Sequence, residues 1–315
     1  MDKEYNECLS KVDNILKRKS ISSEDLLKVI DDYINLKKEN LYNYNIKNLK
    51  YKEQIIELKI LFKVMDEEAF KYSNKIKYNG LYGIYKAEVK TRLMMMFIKT
   101  INEIICMIEN GFCSCALSRI RYVYEISVFM NIIESNDEKL AKNFWDYSEK
   151  SRLKLARYIK DIDTIKDICT RFKQKNIIIH GDYNWAKDIF KNNKSVKEQI
   201  YFSDLAKMTK LKNLYGIYVQ SCLYSHADIF GSITSIDKYE FEDRDIWITT
   251  PSEQGTEIIY KYLKILIPII SLDYFASSKE CVFIITMISR IFNLNLFDKL
   301  KMLDETRDIE DVTYK

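Results

Sequence analysis

Charge placed against an apolar pattern is the first place to look for chemistry. In the run 112–134, Arg119, Arg121 and Glu125 are the only charged residues before Glu134. Arg121 and Glu125 stand four apart, on one helical face with Leu117, Val128 and Ile132. A buried pair there costs several kcal/mol per ion to desolvate, roughly, so it needs a reason. One reason is an internal salt bridge that fixes helix register. The other is a ligand phosphate for the guanidinium, whose fork suits such groups, because arginine before glutamate is the weaker order on a helix.

Histidine occurs only twice. His226 falls on the ladder Leu214, Tyr218, Cys222, His226, Phe230, which carries no other charge. Such a histidine is either a hydrogen-bonded core residue or a base oriented by Glu125 or Arg121 from a packed neighbour. His180 closes the string Lys175-Asn176-x-x-x-His180-Gly181 and reads as a loop residue or as a second candidate. Metal chemistry is not expected: neither histidine sits in an E-x-x-H or H-E-x-x-H pattern, and the seven cysteines include no C-x-x-C. No serine lies on a glycine-flanked elbow, and neither G-x-x-x-x-G-K-[ST] nor G-x-G-x-x-G occurs. Acid–base and phosphate-stabilising chemistry without a cofactor is what remains, or no chemistry.

The elements that must position these residues are helices. Only 7 Gly and 2 Pro occur in 315 residues, which leaves few tight turns for a sandwich or barrel. Apolar residues at 47% and charged residues at 30% describe a chain with ample core. Periodicity predicts helices over 1–18, 23–40, 48–78, about 83–110, 112–134, 135–160, 163–175, 182–191, 211–230, 256–276 and 280–293. Pro268 is expected to kink or break its helix. Residues 238–251 hold the one plausible hairpin. The fold class is therefore all-α: a helical bundle over 81–295, an N-terminal helical arm over 1–80 and an acidic tail over 296–315.

Net charge is only +4, yet residues 142–214 carry 17 Lys/Arg against 9 Asp/Glu. That is either ordinary variation among solvated faces or a basic region that could meet a phosphate backbone. The N-terminus has no basic start followed by an apolar run, and no stretch approaches about 18 apolar residues. Scattered, odd-numbered cysteines suit a reducing compartment. A cytoplasmic protein without a membrane partner is expected.

At these residues the chain resembles an uncharacterised bacterial family of helical proteins of unknown function. Arg121-Tyr-Val-Tyr-Glu125 matches an R-x-x-x-E helix, and Tyr183-Asn184-Trp185-Ala186 matches a Y-G-W-A segment. Tyr218-x-x-x-Cys222-x-x-x-His226-Ala227 matches a Y-x-x-x-S-x-x-x-H helix. Asn184 replaces the glycine and Cys222 the serine. More loosely, a helical bundle with Lys175-Asn176-x-x-x-His180 is similar to the HEPN superfamily, many of whose members carry R-N-x-x-x-H in a dimer cleft and cut RNA without metal. Lys175 stands in the arginine position and loses its fork. Pairing Arg121 with His226 is the alternative site.

The resemblance implies a toxin or phage-defence ribonuclease, working as a homodimer, with RNA as substrate and a neutralising or sensor protein as a further partner. His226, Arg121, Glu125 and His180 would be its catalytic residues, and Lys175, Asn176, Tyr218 and Trp185 would bind substrate. The rival reading is a non-catalytic helical interaction module in which Arg121, Glu125 and His226 form a structural polar network.

Overall fold

The computed structural model describes residues 11, 50–78, 82–175, 181–190, 199–226, 229, 231–232, 236–238, 245–247, 251–275, 284–285, 288, 291–292 and 294. The chain divides into two compact units, Met1–Lys50 and Tyr51–Lys315, and every named helix and strand belongs to the second. Among the described residues five helices come first: α1 (Lys52–Tyr78), α2 (Ile84–Glu109), α3 (Cys113–Glu134), α4 (Glu138–Tyr158) and α5 (Ile162–Gln174). A 3-10 helix at Asn184–Phe190 follows, then α6 (Phe202–Lys207), a 3-10 turn at Lys212–Leu214 and α7 (Tyr215–Ser225). Strands β1 (Ile236–Lys238) and β2 (Asp245–Trp247) pair antiparallel, and α8 (Thr256–Phe275) returns to the core. The architecture is an all-α bundle with one small hairpin, as the turn-poor composition implies.

Helix α3 is central, packing on α2, α7 and α8. Its sequence explains this, since apolar residues surround it: Leu117, Ile120, Val123, Tyr124, Val128 and Ile132 are all buried. Helix α1, which falls within the expected arm, packs on α2 through Leu58, Leu61, Phe62 and Met65. The ring of Phe62 lies 5.9 Å from that of Phe97 on α2. Among the described residues no helix is long and apolar enough to cross a membrane.

Helix starts follow local chemistry. Asp137 Oδ1 accepts from Leu140 N at 3.0 Å and caps α4. Glu138 then caps a different helix, accepting from Tyr85 N (2.8 Å) and Lys86 N (3.0 Å) at the start of α2. A Cβ on Gly83 would stand 2.2 Å from the Glu138 carboxyl carbon, so glycine makes that cap possible. Gly111 (φ 76°) turns the chain between α2 and α3, and its carbonyl accepts from Ser252 N at 2.8 Å.

Three expectations need correction. The segment expected as an α-helix over 182–191 is a 3-10 helix. The helix expected over 211–230 begins as a 3-10 turn and ends at Ser225, because the backbone at His226 turns extended (φ −112°, ψ 159°). At Pro268 the break alternative is the one removed: helix α8 continues through it, with Leu266, Ile267, Pro268 and Ile270 all buried. Tertiary burial outweighs the one lost hydrogen bond. Helix α6 has no counterpart in the sequence reading.

Candidate functional site

Three segments build the site. Helix α3 supplies Arg121 and Glu125, α7 supplies Tyr215 and Tyr218 with His226 at its C-terminal cap, and the start of the 3-10 segment supplies Tyr183. Helix α7 is fastened to α3 near its end, where Ser225 Oγ donates to Ser118 O at 3.4 Å. Where the chain leaves α7, His226 N still donates to Cys222 O (3.2 Å), while the ring comes to rest beside Arg121.

Arg121 is the hub. Its Nε donates to Glu125 Oε1 at 3.1 Å, and its Nη1 lies 3.4 Å from His226 Nε2. The guanidinium carbon sits 5.3 Å from the centre of the Tyr218 ring. Burial works against the charge, but the Glu125 hydrogen bond and neighbouring groups more than offset it, holding the guanidinium more firmly protonated than usual. The side chains of Arg121 and Glu125 are 31% and 20% exposed, and His226 is exposed. The expectation of a buried pair is thus corrected: the pair lies at the bundle edge, where solvent meets the cluster and much of the desolvation cost disappears.

An aromatic bed lies beneath it. Tyr218 stacks with Tyr215 (centroids 5.4 Å, planes 28° apart) and leans on Phe202 at 4.6 Å. Tyr183 faces Phe202 at 6.0 Å. Burial pushes the phenols of Tyr183, Tyr215 and Tyr218 above their usual value. The Glu125 carboxylate adds to the effect at Tyr183 and Tyr218, and Arg121 opposes it. All three stay neutral hydrogen-bonding groups at physiological pH. Deeper, Tyr124 OH donates to Leu211 O at 2.9 Å, with its phenol pushed up to about 12 by burial.

The remaining sequence candidates do not join this cluster. Trp185 is buried, edge-on to Phe144 (4.7 Å) and Phe129 (6.0 Å), so it is a core residue. Lys175 caps α5, and its Nζ pairs with Asp146 Oδ1 at 2.5 Å. Asn176 and His180 lie outside the described residues. Part of the basic charge of 142–214 is also paired. Lys150 and Lys154 hold Asp182, Arg171 holds Glu149 and Asp167, and Lys210 holds Asp273.

Sequence reasoning missed Tyr215, which 23 tyrosines in the chain do nothing to single out. It also missed the truly buried charge. Lys90 is fully buried on α2, and its Nζ donates to Glu134 Oε2 at 2.6 Å and to Tyr82 OH at 3.1 Å. The signal was available, since Lys90 interrupts the apolar stripe Ala87, Leu93, Met94 and Phe97. An open groove of about 490 Å³ between α1 and α2, lined by Asp66, Ile98 and Glu103 among others, includes none of the cluster.

Among the described residues no three His, Cys, Asp or Glu side chains stand close enough together to hold a metal ion. Neither curated proteins nor solved structures give a match to the chain. A family model does match, over residues 87–244, a span that contains Arg121, Glu125, Tyr183, Tyr218 and His226 and amounts to half of the chain. The chain accordingly belongs to the family of unknown function DUF5677.

Proposed function

We propose that the Arg121–His226 cluster is a metal-independent phosphoryl-transfer site acting on RNA, a HEPN-like ribonuclease of toxin or phage-defence type. The observation that carries this reading is the 3.4 Å approach of Arg121 Nη1 to Nε2 of an exposed histidine. Guanidinium has donors and no acceptor, so for this contact to be a hydrogen bond Nε2 must accept, with the ring proton on Nδ1. A phosphodiester entering the site competes for the same guanidinium, which suits it better than an imidazole does. Drawing Arg121 toward phosphate frees the Nε2 lone pair at the moment a base is needed.

The step then balances. His226 Nε2 takes the 2′-hydroxyl proton, and the 2′ oxygen bonds to phosphorus. The P–O5′ bond breaks, and the 5′ oxygen takes a proton from water, whose hydroxide is neutralised by the proton that His226 gained. Arg121 stabilises charge on the non-bridging oxygens, and Glu125 keeps its Nε edge fixed. The product end is a 2′,3′-cyclic phosphate. A homodimer, a cytoplasmic setting and a neutralising or sensor partner belong to the same proposal.

One observation favours the rival. Arg121 already has a carboxylate and a tyrosine ring within its own bundle, so a structural polar network accounts for the geometry without a reaction. Purified full-length protein incubated with RNA and a chelator separates the two. Cleavage to cyclic-phosphate ends, lowered about 10²- to 10⁴-fold by His226→Ala and retained by His180→Ala, is the expected outcome. Intact RNA with folded wild-type protein in excess overturns the nuclease in favour of the network, and loss on His180→Ala alone moves the site to the Lys175–His180 string.

A further inference from the structure

Helices α4 and α5 form an antiparallel hairpin. Arg171 reaches Glu149 at 3.2 Å, and Leu153 packs with Ile168 and Phe172 between the helices, which places the turn at 159–161. The end of α4 is closed by a Schellman arrangement: Lys160 N donates to Arg157 O (3.3 Å) and Asp161 N to Ala156 O (2.9 Å). That closure needs one left-handed residue, and Lys160 provides it at φ 59°. Glycine is the usual occupant, because a side chain there crowds the backbone. Among the described residues Lys160 is the one non-glycine residue with positive φ.

The same turn exposes four large apolar side chains that lie close together in the chain. Leu155 is 59% exposed, Tyr158 87%, Ile159 61% and Ile162 61%. Scattered exposed hydrophobics need no explanation, but four converging on one hairpin end do. Arg152, Lys154, Arg157, Lys160 and Lys166 are exposed around them, against only Asp161 and Asp163 within 152–166. Asp161 is occupied, since its side chain accepts from Thr164 N at the start of α5. Arg157 and Lys160 have no acidic partner among the described residues.

We propose that this tip docks peripherally on an anionic lipid bilayer, with Leu155, Tyr158, Ile159 and Ile162 entering the interfacial layer and Arg157 and Lys160 meeting the headgroups. A second copy of the chain is the poorer occupant, because a self-complementary contact sets the basic ring against itself. An exposed hairpin end with aliphatic and aromatic side chains beside long cationic ones suits a yielding interface that takes carbon below and charge above. The expectation of no membrane partner rested on span length, which governs crossing and not surface contact. The inference stands apart from the reading of the Arg121 cluster.

The test is flotation of the full-length protein with phosphatidylcholine vesicles, alone or with about a third phosphatidylserine. Binding is expected only to the anionic vesicles, weakening as salt rises. Arg157→Glu with Lys160→Glu should reduce it about tenfold or more, and Ile159→Ser with Ile162→Ser should abolish it. Lys160→Gly is the discriminating variant: relief of the left-handed strain raises the melting temperature while the lost charge weakens vesicle binding. Absence of binding to the anionic vesicles overturns the proposal. So does binding that the serine pair leaves unchanged, or a dimer in solution that the serine pair dissolves.

Discussion

Arg121 and His226 come from segments 105 positions apart in the chain and meet through Nη1 and Nε2 at 3.4 Å, with Glu125 holding the opposite edge of the guanidinium. His226 keeps the ladder of Tyr218 and Cys222, since its N still donates to Cys222 O at 3.2 Å and both His226 and Tyr218 lie against Arg121. The helix ends there, with the backbone at position 226 extended.

Because the Arg121–Glu125 pair lies at the bundle edge, its variants are expected to fold. Arg121→Ala should cost about 1 kcal/mol, well short of the roughly 3–5 kcal/mol of a stranded buried charge. Arg121→Lys should keep the charge and nearly all the stability but lose the fork, so RNA cleavage should fall at least about tenfold. Urea unfolding beside cleavage assays checks both. A loss near 4 kcal/mol for Arg121→Ala would return the residue to the core.

Lys90 is where the larger penalty belongs. Its ammonium is fully buried, held by Glu134 at 2.6 Å and lying 4.3 Å from the centre of the Tyr82 ring. Burial pulls the lysine below its usual value, and the Glu134 carboxylate pulls it back. Glu134→Ala should therefore destabilise by about 3–5 kcal/mol. Lys90→Met with Glu134→Gln should recover most of that, since a neutral pair of similar volume needs no desolvation. Equal losses for the single and double variants would show that packing, not charge, decides this position.

The helices were legible because their signal is local and long. Apolar residues recur on one face for six turns or more in α1 and α2 and surround α3, and Asp137 marks the start of α4. Arg121, Glu125 and Tyr218 were legible as well, as polar or charged groups on otherwise apolar faces. The approach of His226 to Arg121 was legible as one of two alternatives, but the end of α7 at Ser225 was not, since the ladder in the sequence continues past it. Trp185 failed for another reason: a short motif gives a residue type without saying whether its side chain turns inward. Lys90 and Asp273 needed no structure to be noticed, only the rule that exposed the Arg121 pair applied to α2 and α8.

Trp185 accordingly behaves as core. It is edge-on to Phe144 at 4.7 Å and has no ring contact with the cluster tyrosines. Trp185→Ala should cost about 3–5 kcal/mol, and Trp185→Phe much less. Corrected for the folded fraction, RNA cleavage by the phenylalanine variant should equal that of wild type. A selective loss of RNA affinity with unchanged stability would instead restore Trp185 to the substrate surface.

Asp273 gives stability a pH dependence of predictable sign. It is buried on α8, where Oδ1 accepts from Lys210 Nζ at 2.7 Å and Oδ2 from Asn131 Nδ2 at 2.9 Å. Burial raises its carboxyl above the ordinary 3.8, although Lys210 and Asn131 pull the other way. The folded chain thus binds this proton more tightly than the unfolded chain does. The stability it contributes is complete below the unfolded value and is lost as pH rises through the folded one, at no more than about 1.4 kcal/mol per pH unit. Asp273→Asn has no proton to lose. Its amide oxygen can still accept from Asn131, and Lys210, half exposed, can turn to water. The stability of the variant relative to wild type should therefore rise from about pH 4 to about pH 7, read by urea unfolding of both proteins across that range. A relative stability that falls toward neutrality would mean that the Lys210 pair outweighs burial and holds the carboxylate ionised.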